Sequence, residues 1–482
     1  MNNVAIITKI RNLKPIVGSD NIIVGQCFES NIIVSKDIQE NTLGIYFDDN
    51  LNLTKEFLYN NNLYRDSTLN KDNSKSGFFE ISGRIRCLKL RGVKSDAFWI
   101  PIDSLKFTGY NLEKLKEGFE FNELNGIKIC EKYISKKTRQ QGSGKDKKDK
   151  FKLKVSKLVF PEHFDTEQLD RNLDNIPDNT TVVITFKIHG TSFRFSNTKI
   201  DKKYNDNLIK LTNYINNLLD KKINKHFKKI NLSINLANYR YYLKKIFNIF
   251  GLKLDFSEYK DVVGSRRVIK TDNITNKSFY KTDIWTEATN CLRGKLHKNE
   301  MVYGEIVGYE KLGHDENGNP IFSPLMGVYD LKKMDKVDKD IRKLYGDKMI
   351  FSYGCDGKNI QYKLFVYRIS LLNLDGYEYD YSWDDLKRRC EELGVKHVPE
   401  IKVMNSHEFY NDKRKFMEYV ETLLDKPSIL DSSHIEEGIV VRLENGMNLK
   451  AYKKKAYLFK YLEGIIKENE EFIDIEESQN NF

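Results

Sequence analysis

Up to about residue 105 the apolar positions fall in short β-type runs separated by turns, at 4–7, 22–24, 31–34, 43–47, 84–90 and 97–100. Such short strands at this density predict a small barrel. Residues 136–150 contain no apolar side chain and two glycines, which predicts a flexible basic linker and the clearest boundary in the chain. Beyond it, β-branched or alternating runs at 181–186, 262–263, 301–307, 361–372 and 438–443 predict strands. Leu208, Leu211, Tyr214, Ile215, Leu218 and Leu219 recur at helical spacing inside an Asn- and Lys-rich stretch and predict a helical insertion. Ser382, as an N-cap before 386–390, and the stretch 406–424 predict further helices, and the tail 456–482 predicts one more.

The expected organisation is therefore α+β. A barrel-like domain spans 1–135, a linker 136–154, and a domain of two antiparallel sheets with flanking helices 155–482, interrupted by the insertion at about 200–255.

At 482 residues, 40% of them hydrophobic, the chain is long enough for two or three domains. Its 80 Lys and Arg against 69 Asp and Glu give a net charge of +11, which suits a polyanionic partner and equally fits a solvated lysine-rich surface. The cysteines at 27, 87, 130, 291, 355 and 390 form no C-x-x-C pair, which argues against a zinc ribbon or a disulfide framework. With no apolar run of membrane-spanning length and no leader-like start, a cytoplasmic, membrane-free setting is expected.

The chemistry centres on Thr185-Phe186-Lys187-Ile188-His189-Gly190. The strand before Lys187 presents that lysine at its end, making it the candidate nucleophile. A free lysine amine, with a pKa of about 10.4, attacks only once its surroundings favour the neutral form. Gly190 lets the backbone turn close to a nucleotide.

Downstream stand Ser265-Arg266, Tyr303-Gly304-Glu305-Ile306-Val307-Gly308, Leu364-Phe365-Val366-Tyr367-Arg368, Glu436-Glu437-Gly438-Ile439-Val440-Val441 and the lysines from Lys450 to Lys455. In this order they resemble the motifs of the covalent nucleotidyltransferases, the superfamily of ATP-dependent ligases and capping enzymes. Within it the chain is most similar to RNA ligases of the Deinococcus type, over about residues 160–461. That resemblance implies an OB-fold-like nucleic-acid-binding domain at the N-terminus and a nucleotidyltransferase, ATP-grasp-like ligase domain after it.

It also implies roles for particular residues. Lys187 would form a lysyl-AMP. His189, Gly190, Arg194 and Glu305 would contact the nucleotide, with Glu305 on the ribose and in the metal's outer shell. Glu437 would position Mg2+ or Mn2+, with Glu436 as the neighbouring alternative. Lys450 and Lys453 would touch the α-phosphate; the family spacing is Lys-x-Lys, so Lys455 is a substitute. Phe365 or Tyr367 would stack on adenine, although core packing accounts for both equally well. Arg266 would meet the nucleic-acid end.

Arg84, Arg86 and Lys89 alternate along one run and could track a phosphate backbone; a solvated edge strand is the alternative. His163 precedes the nucleophile strand, near the nucleotide or capping a turn. Phe186 and His189 depart from the acidic residues common in relatives at those positions.

The expected protein is an ATP-dependent RNA ligase of RNA repair. It would act as a monomer on 3′-hydroxyl and 5′-phosphate ends. A DNA ligase or capping enzyme is the alternative within the superfamily, and a non-catalytic RNA-binding protein the alternative outside it. DNA ligases and capping enzymes place an OB-fold after the lysine cluster, where this sequence has only 456–482.

Overall fold

Strands dominate the computed structural model, which describes residues 4–133, 158–201, 257–270, 280–332, 339–373, 375–444, 446 and 449–468. The expected linker at 136–154 and nearly all of the expected insertion at 200–255 lie outside the described residues.

The N-terminal module does not close into a barrel among the described residues. Its largest sheet runs Glu120–Phe121, Ala5–Lys9, Leu43–Asp48, Ala97–Pro101, and a separate three-stranded sheet joins Arg11–Pro15, Ile22–Cys27 and Ser30–Ser35. Ile7, Ile45, Phe47, Phe57 and Leu105 form its core, each fully buried. The run expected as a strand at 84–90 is regular only over Leu88–Leu90. Its beginning is tied down differently: Arg84 is buried, donates to the Gly464 carbonyl at 2.8 Å and stacks over the Tyr133 ring. Arg84 and Lys89 therefore do not share a strand face, which corrects the expectation of an alternating basic stripe.

In the second module the principal strands are β1 (Thr181–Lys187), β2 (Thr191–Asp201), β3 (Ser257–Ser265), β4 (Glu300–His314), β5 (Tyr362–Leu372), β6 (Glu400–Asn405), β7 (Gly438–Glu444) and β8 (Lys450–Lys455). One sheet has the order Glu167–Gln168, β8, β7, β1, β6; the other has Ile269–Lys270, β3, β2, β4, β5, Glu378–Asp380. All neighbours are antiparallel except Glu167–Gln168 on β8 and Lys396–His397 on β5.

β1 is an interior strand of the first sheet, between β7 and β6, and its Val182, Val183 and Ile184 are fully buried. Each such side chain contributes roughly 1.5–3 kcal/mol of burial. Helices α1 (Trp383–Leu393), α2 (Lys413–Leu423) and α3 (Tyr457–Glu468) flank the sheets. The Ser382 side chain caps α1 by accepting from the Asp385 amide, and Gly394 ends the helix in the left-handed region. α3 buries Phe459 and Leu462 in the shared core.

The two modules meet at α3 and the segment before β1. Lys460 pairs with Asp96 at 2.8 Å and approaches Asp49 at 4.0 Å, and Arg171 pairs with Asp48 at 2.7 Å. All five side chains are largely buried, so removing one partner of a pair leaves an uncompensated buried charge and is costly.

Candidate active site

Strand register builds the site. β1 pairs with β7 so that Lys187 lies opposite Gly438, and β7 pairs with β8 so that Gly438 lies opposite Lys455. The same register aligns Thr185, Val440 and Lys453. Because strand side chains alternate, Lys187, Lys453 and Lys455 share one face, and all three line a cavity of about 510 Å3.

Lys454 takes the opposite face. It is buried against Asp170 at 2.6 Å and Glu421 at 2.9 Å. Lys450 is exposed and does not line the cavity. The expected pair Lys450 and Lys453 is thus corrected to Lys453 and Lys455, the Lys-x-Lys spacing that a two-residue strand period demands.

Glu437 is the hub of the cavity floor. Its Oε2 accepts from Lys187 Nζ at 2.8 Å and lies 3.7 Å from His189 Nδ1; its Oε1 lies 3.7 Å from Lys455 Nζ. Next to it, Gly438 has no room for a side chain, since a Cβ would fall 2.2 Å from the Lys454 carbonyl oxygen. Glu436 turns away: it is buried, lies outside the cavity lining, and accepts from the Ile429 amide at 3.0 Å. Of the two adjacent carboxylates, Glu437 alone faces the cavity.

His189 is sandwiched between ring edges of Phe351 and Phe459, and its Nε2 is 3.3 Å from the Tyr329 hydroxyl. Burial pushes its pKa down to about 4, against the opposing pull of Glu437, so the imidazole is neutral at neutral pH. The His189 amide donates to the Tyr353 hydroxyl at 2.7 Å. Gly190 follows, where a Cβ would stand 2.7 Å from the Ile306 carbonyl oxygen; the glycine lets the β1–β2 turn lie directly on β4.

β4 brings Glu305 to the other wall, buried, with its Oε1 accepting from Ser192 Oγ at 3.0 Å. A bulge in the β4–β5 ladder leaves Tyr367, in the middle of β5, as the extra residue opposite Tyr303 and Gly304. There Tyr367 lines the cavity against the edge of His163, which also lines it. Phe365 is fully buried in the core and absent from the cavity, so the two stacking candidates separate and Phe365 is corrected to a core residue.

Arg194 lines the cavity, but its guanidinium is engaged: Nε donates to the Ser265 carbonyl at 2.8 Å, and Nη1 to those of Phe160 and Pro161 at 3.0 and 2.7 Å. Burial lowers its pKa to about 10. It braces the segment carrying His163. Arg266 also lines the cavity and pairs with Asp165. Arg86 and Lys89 lie in the N-terminal module outside the cavity, Arg86 half-buried and Lys89 exposed.

Sequence reasoning missed Tyr329, Tyr353 and Glu463. Tyr329 stands in a two-residue strand and Tyr353 in a turn, segments too short for periodicity or motif order to mark a residue. Glu463 lies on α3, whose existence was expected but whose facing was not.

A cavity with a lysine cluster, a carboxylate bound to the leading lysine and a second carboxylate across from it is the arrangement of a nucleotidyl-transferring enzyme. Residues 180–462 match the RNA ligase family, and the chain belongs to that family. Among solved structures it is similar to Naegleria gruberi RNA ligase. A ligand-free aspartate-to-alanine mutant aligns at 15% identity and a TM-score of 0.51, over 96% of this chain and 98% of that one. A lysine-to-alanine mutant with ATP and Mn aligns at 14% identity and a TM-score of 0.51, over 95% and 98%. A lysine-to-methionine mutant with AMP and Mn gives 14% identity and 0.50, over the same shares. At these identities the likeness shows a shared fold. No curated protein sequence matches the chain. No helix among the described residues is long and apolar enough to cross a membrane.

Proposed function

We propose that this protein is an ATP-dependent RNA ligase that seals 3′-hydroxyl and 5′-phosphate ends in RNA repair. The observation that carries the reading is the cross-strand row Lys187, Gly438, Lys455, with Glu437 touching the lysine at one end and approaching the other.

Lys187 gives up its proton, and its amine attacks the α-phosphorus of ATP. A P–N bond forms, the bond to the bridging oxygen breaks, and pyrophosphate leaves. A 5′-phosphate oxygen of RNA then attacks the same phosphorus, so AMP moves to the RNA end and the lysine is released. Finally a 3′-hydroxyl attacks the end's own phosphorus and AMP departs with its electron pair. Each step is an in-line displacement, for which the protein mainly positions groups and neutralises charge.

Lys453 and Lys455 neutralise the α-phosphate from β8, and Glu305 binds the ribose hydroxyls from β4. Tyr367 forms the adenine platform, and Arg266 exchanges Asp165 for the 5′-phosphate. His189 holds its place as a neutral hydrogen-bonding ring.

A divalent ion fits as a partial site. Among the described residues no three His, Cys, Asp or Glu side chains cluster to hold one, while Glu437 offers one carboxylate to a cation completed by phosphate oxygens and water. Mg2+ or Mn2+ bound there would supply charge neutralisation at the α-phosphate.

Residues 1–135 serve as the nucleic-acid-binding module, OB-fold-like as the family resemblance implies, followed by the linker 136–154 and the adenylyltransferase domain at 155–482. The protein works as a cytoplasmic monomer on RNA. Its RNA substrate is supported by membership of the RNA ligase family, which a DNA ligase or capping reading lacks.

The test is incubation with α-labelled ATP or GTP and Mg2+ or Mn2+, resolved on a denaturing gel beside Lys187→Ala. Label from ATP alone, lost in the variant, is expected. Label from GTP would favour capping, and no label from either would overturn the enzymatic reading.

A further inference from the structure

Lys455 is held from two sides. One is Glu437, on the cavity floor. The other is Glu463 on α3, whose Oε2 accepts from Lys455 Nζ at 3.0 Å, closer than Glu437 at 3.7 Å. Glu463 also lines the cavity. Without partners a lysine this buried would lose its charge; Glu463 first, then Glu437 outweigh that burial and raise its pKa.

The same helix turn faces elsewhere as well. Phe459 lies under both His189 and Lys455, with the Lys455 ammonium 5.1 Å from its ring. Lys460, three residues before Glu463, is taken by Asp96 and Asp49 of the N-terminal module. One residue after Glu463, the Gly464 carbonyl accepts from Arg84 of that module. The helix is therefore gripped by the N-terminal module on both sides of the residue that grips Lys455.

We propose that Glu463 is a positioning residue for Lys455 and that the N-terminal module sets the helix from which Glu463 acts. The inference rests on the nucleotidyl-transfer reading and deepens it: the module that contacts RNA also tunes the lysine adenylylation step. Glu463 touches no reacting atom. It keeps the Lys455 ammonium from collapsing onto Glu437, where it would compete with Lys187 for the same carboxylate.

The test is single-turnover formation of lysyl-AMP in the full chain across ATP concentrations. With Glu463→Gln the maximal rate is expected to fall on the order of tenfold with little change in the half-saturating ATP, because the lost alignment matters in the transition state. Glu463→Asp recovers part of the rate, and the rates are compared at a temperature where unfolding curves show each variant fully folded. Combining Glu463→Gln with Lys455→Met is expected to be no worse than Lys455→Met alone.

Additive losses in that double variant, or a wild-type rate in Glu463→Gln, would overturn the positioning role. Asp96→Asn is expected to lower the same maximal rate by a smaller factor, and a rate equal to wild type would overturn the clamp by the N-terminal module. Absence of lysyl-AMP in the wild type would overturn the underlying reading, a result distinct from all of these.

Discussion

Lys187 Nζ and Glu437 Oε2 are 2.8 Å apart although 250 positions separate them in the chain. In the reaction proposed above, this contact would hold the Lys187 amine in place until the carboxylate is drawn to another cation. Glu437→Gln is expected to lower lysyl-AMP formation by about a hundredfold or more, since it removes the negative charge beside Lys187 and the carboxylate that the proposed metal site would use. Labelling with α-labelled ATP over a range of Mg2+ and Mn2+ concentrations checks it. A loss fully restored by excess metal would assign Glu437 to metal affinity alone.

The register of β8 separates its lysines by function. Lys450→Ala is expected to leave adenylylation within about twofold of wild type, as for an exposed side chain outside the cavity. Lys453→Ala and Lys455→Ala are each expected to lower it by tenfold or more, roughly the effect of removing one charge-stabilising group. Rates at saturating ATP decide the matter, and a large loss at Lys450 would restore the earlier register.

Arg84 acts in the fold rather than on RNA. Arg84→Ala is expected to cost about 1–3 kcal/mol in denaturant unfolding, because the Gly464 carbonyl and the Tyr133 ring lose a buried partner. Arg86→Ala and Lys89→Ala test the nucleic-acid role by their effect on binding. If each meets a phosphate, each lowers the slope of log affinity against log salt by roughly 0.7 for single-stranded RNA. Titrations at several salt concentrations read this directly.

Asp431 gives the fold a defined acid sensitivity. Burial alone would raise its pKa, but hydrogen bonds from Ser352, Ser433 and the Gly354 amide outweigh it and hold the carboxyl at about 2. A folded pKa below the unfolded value stabilises the protein above about pH 4, and that stability is lost as pH falls from about 4 towards 2. Asp431→Asn is expected to destabilise the protein at neutral pH, with the gap to wild type closing on acidification through that window. Unfolding midpoints of both proteins from pH 7 to pH 2 measure it. Because Asp431 fixes the segment that carries Tyr353, the variant should also weaken the hold on the His189 amide.

The sequence by itself determined the local elements and the family to which the chain belongs. β-branched density made β1 a buried strand ending at Lys187, a serine cap started α1, and motif order placed Glu305 and Glu437 in one family of sites. These signals are legible because they depend on a residue and its near neighbours. It overread the 84–90 run as one strand, since alternation cannot register that Arg84 is claimed by a carbonyl 380 positions away.

Tertiary structure decided what depends on register and on facing. Only the pairing of β8 with β7 shows that Lys453 and Lys455 share the face of Lys187 while Lys454 turns to Asp170 and Glu421. Only the bulge in β4 and β5 accompanies the split between Tyr367, in the cavity, and Phe365, in the core. A shift of one residue along a strand reverses every side chain, and nothing in a lysine run or an aromatic pair specifies that shift. The packing of distant strands and helices does, which is also why Glu463, unmarked in the sequence, stands beside Lys455.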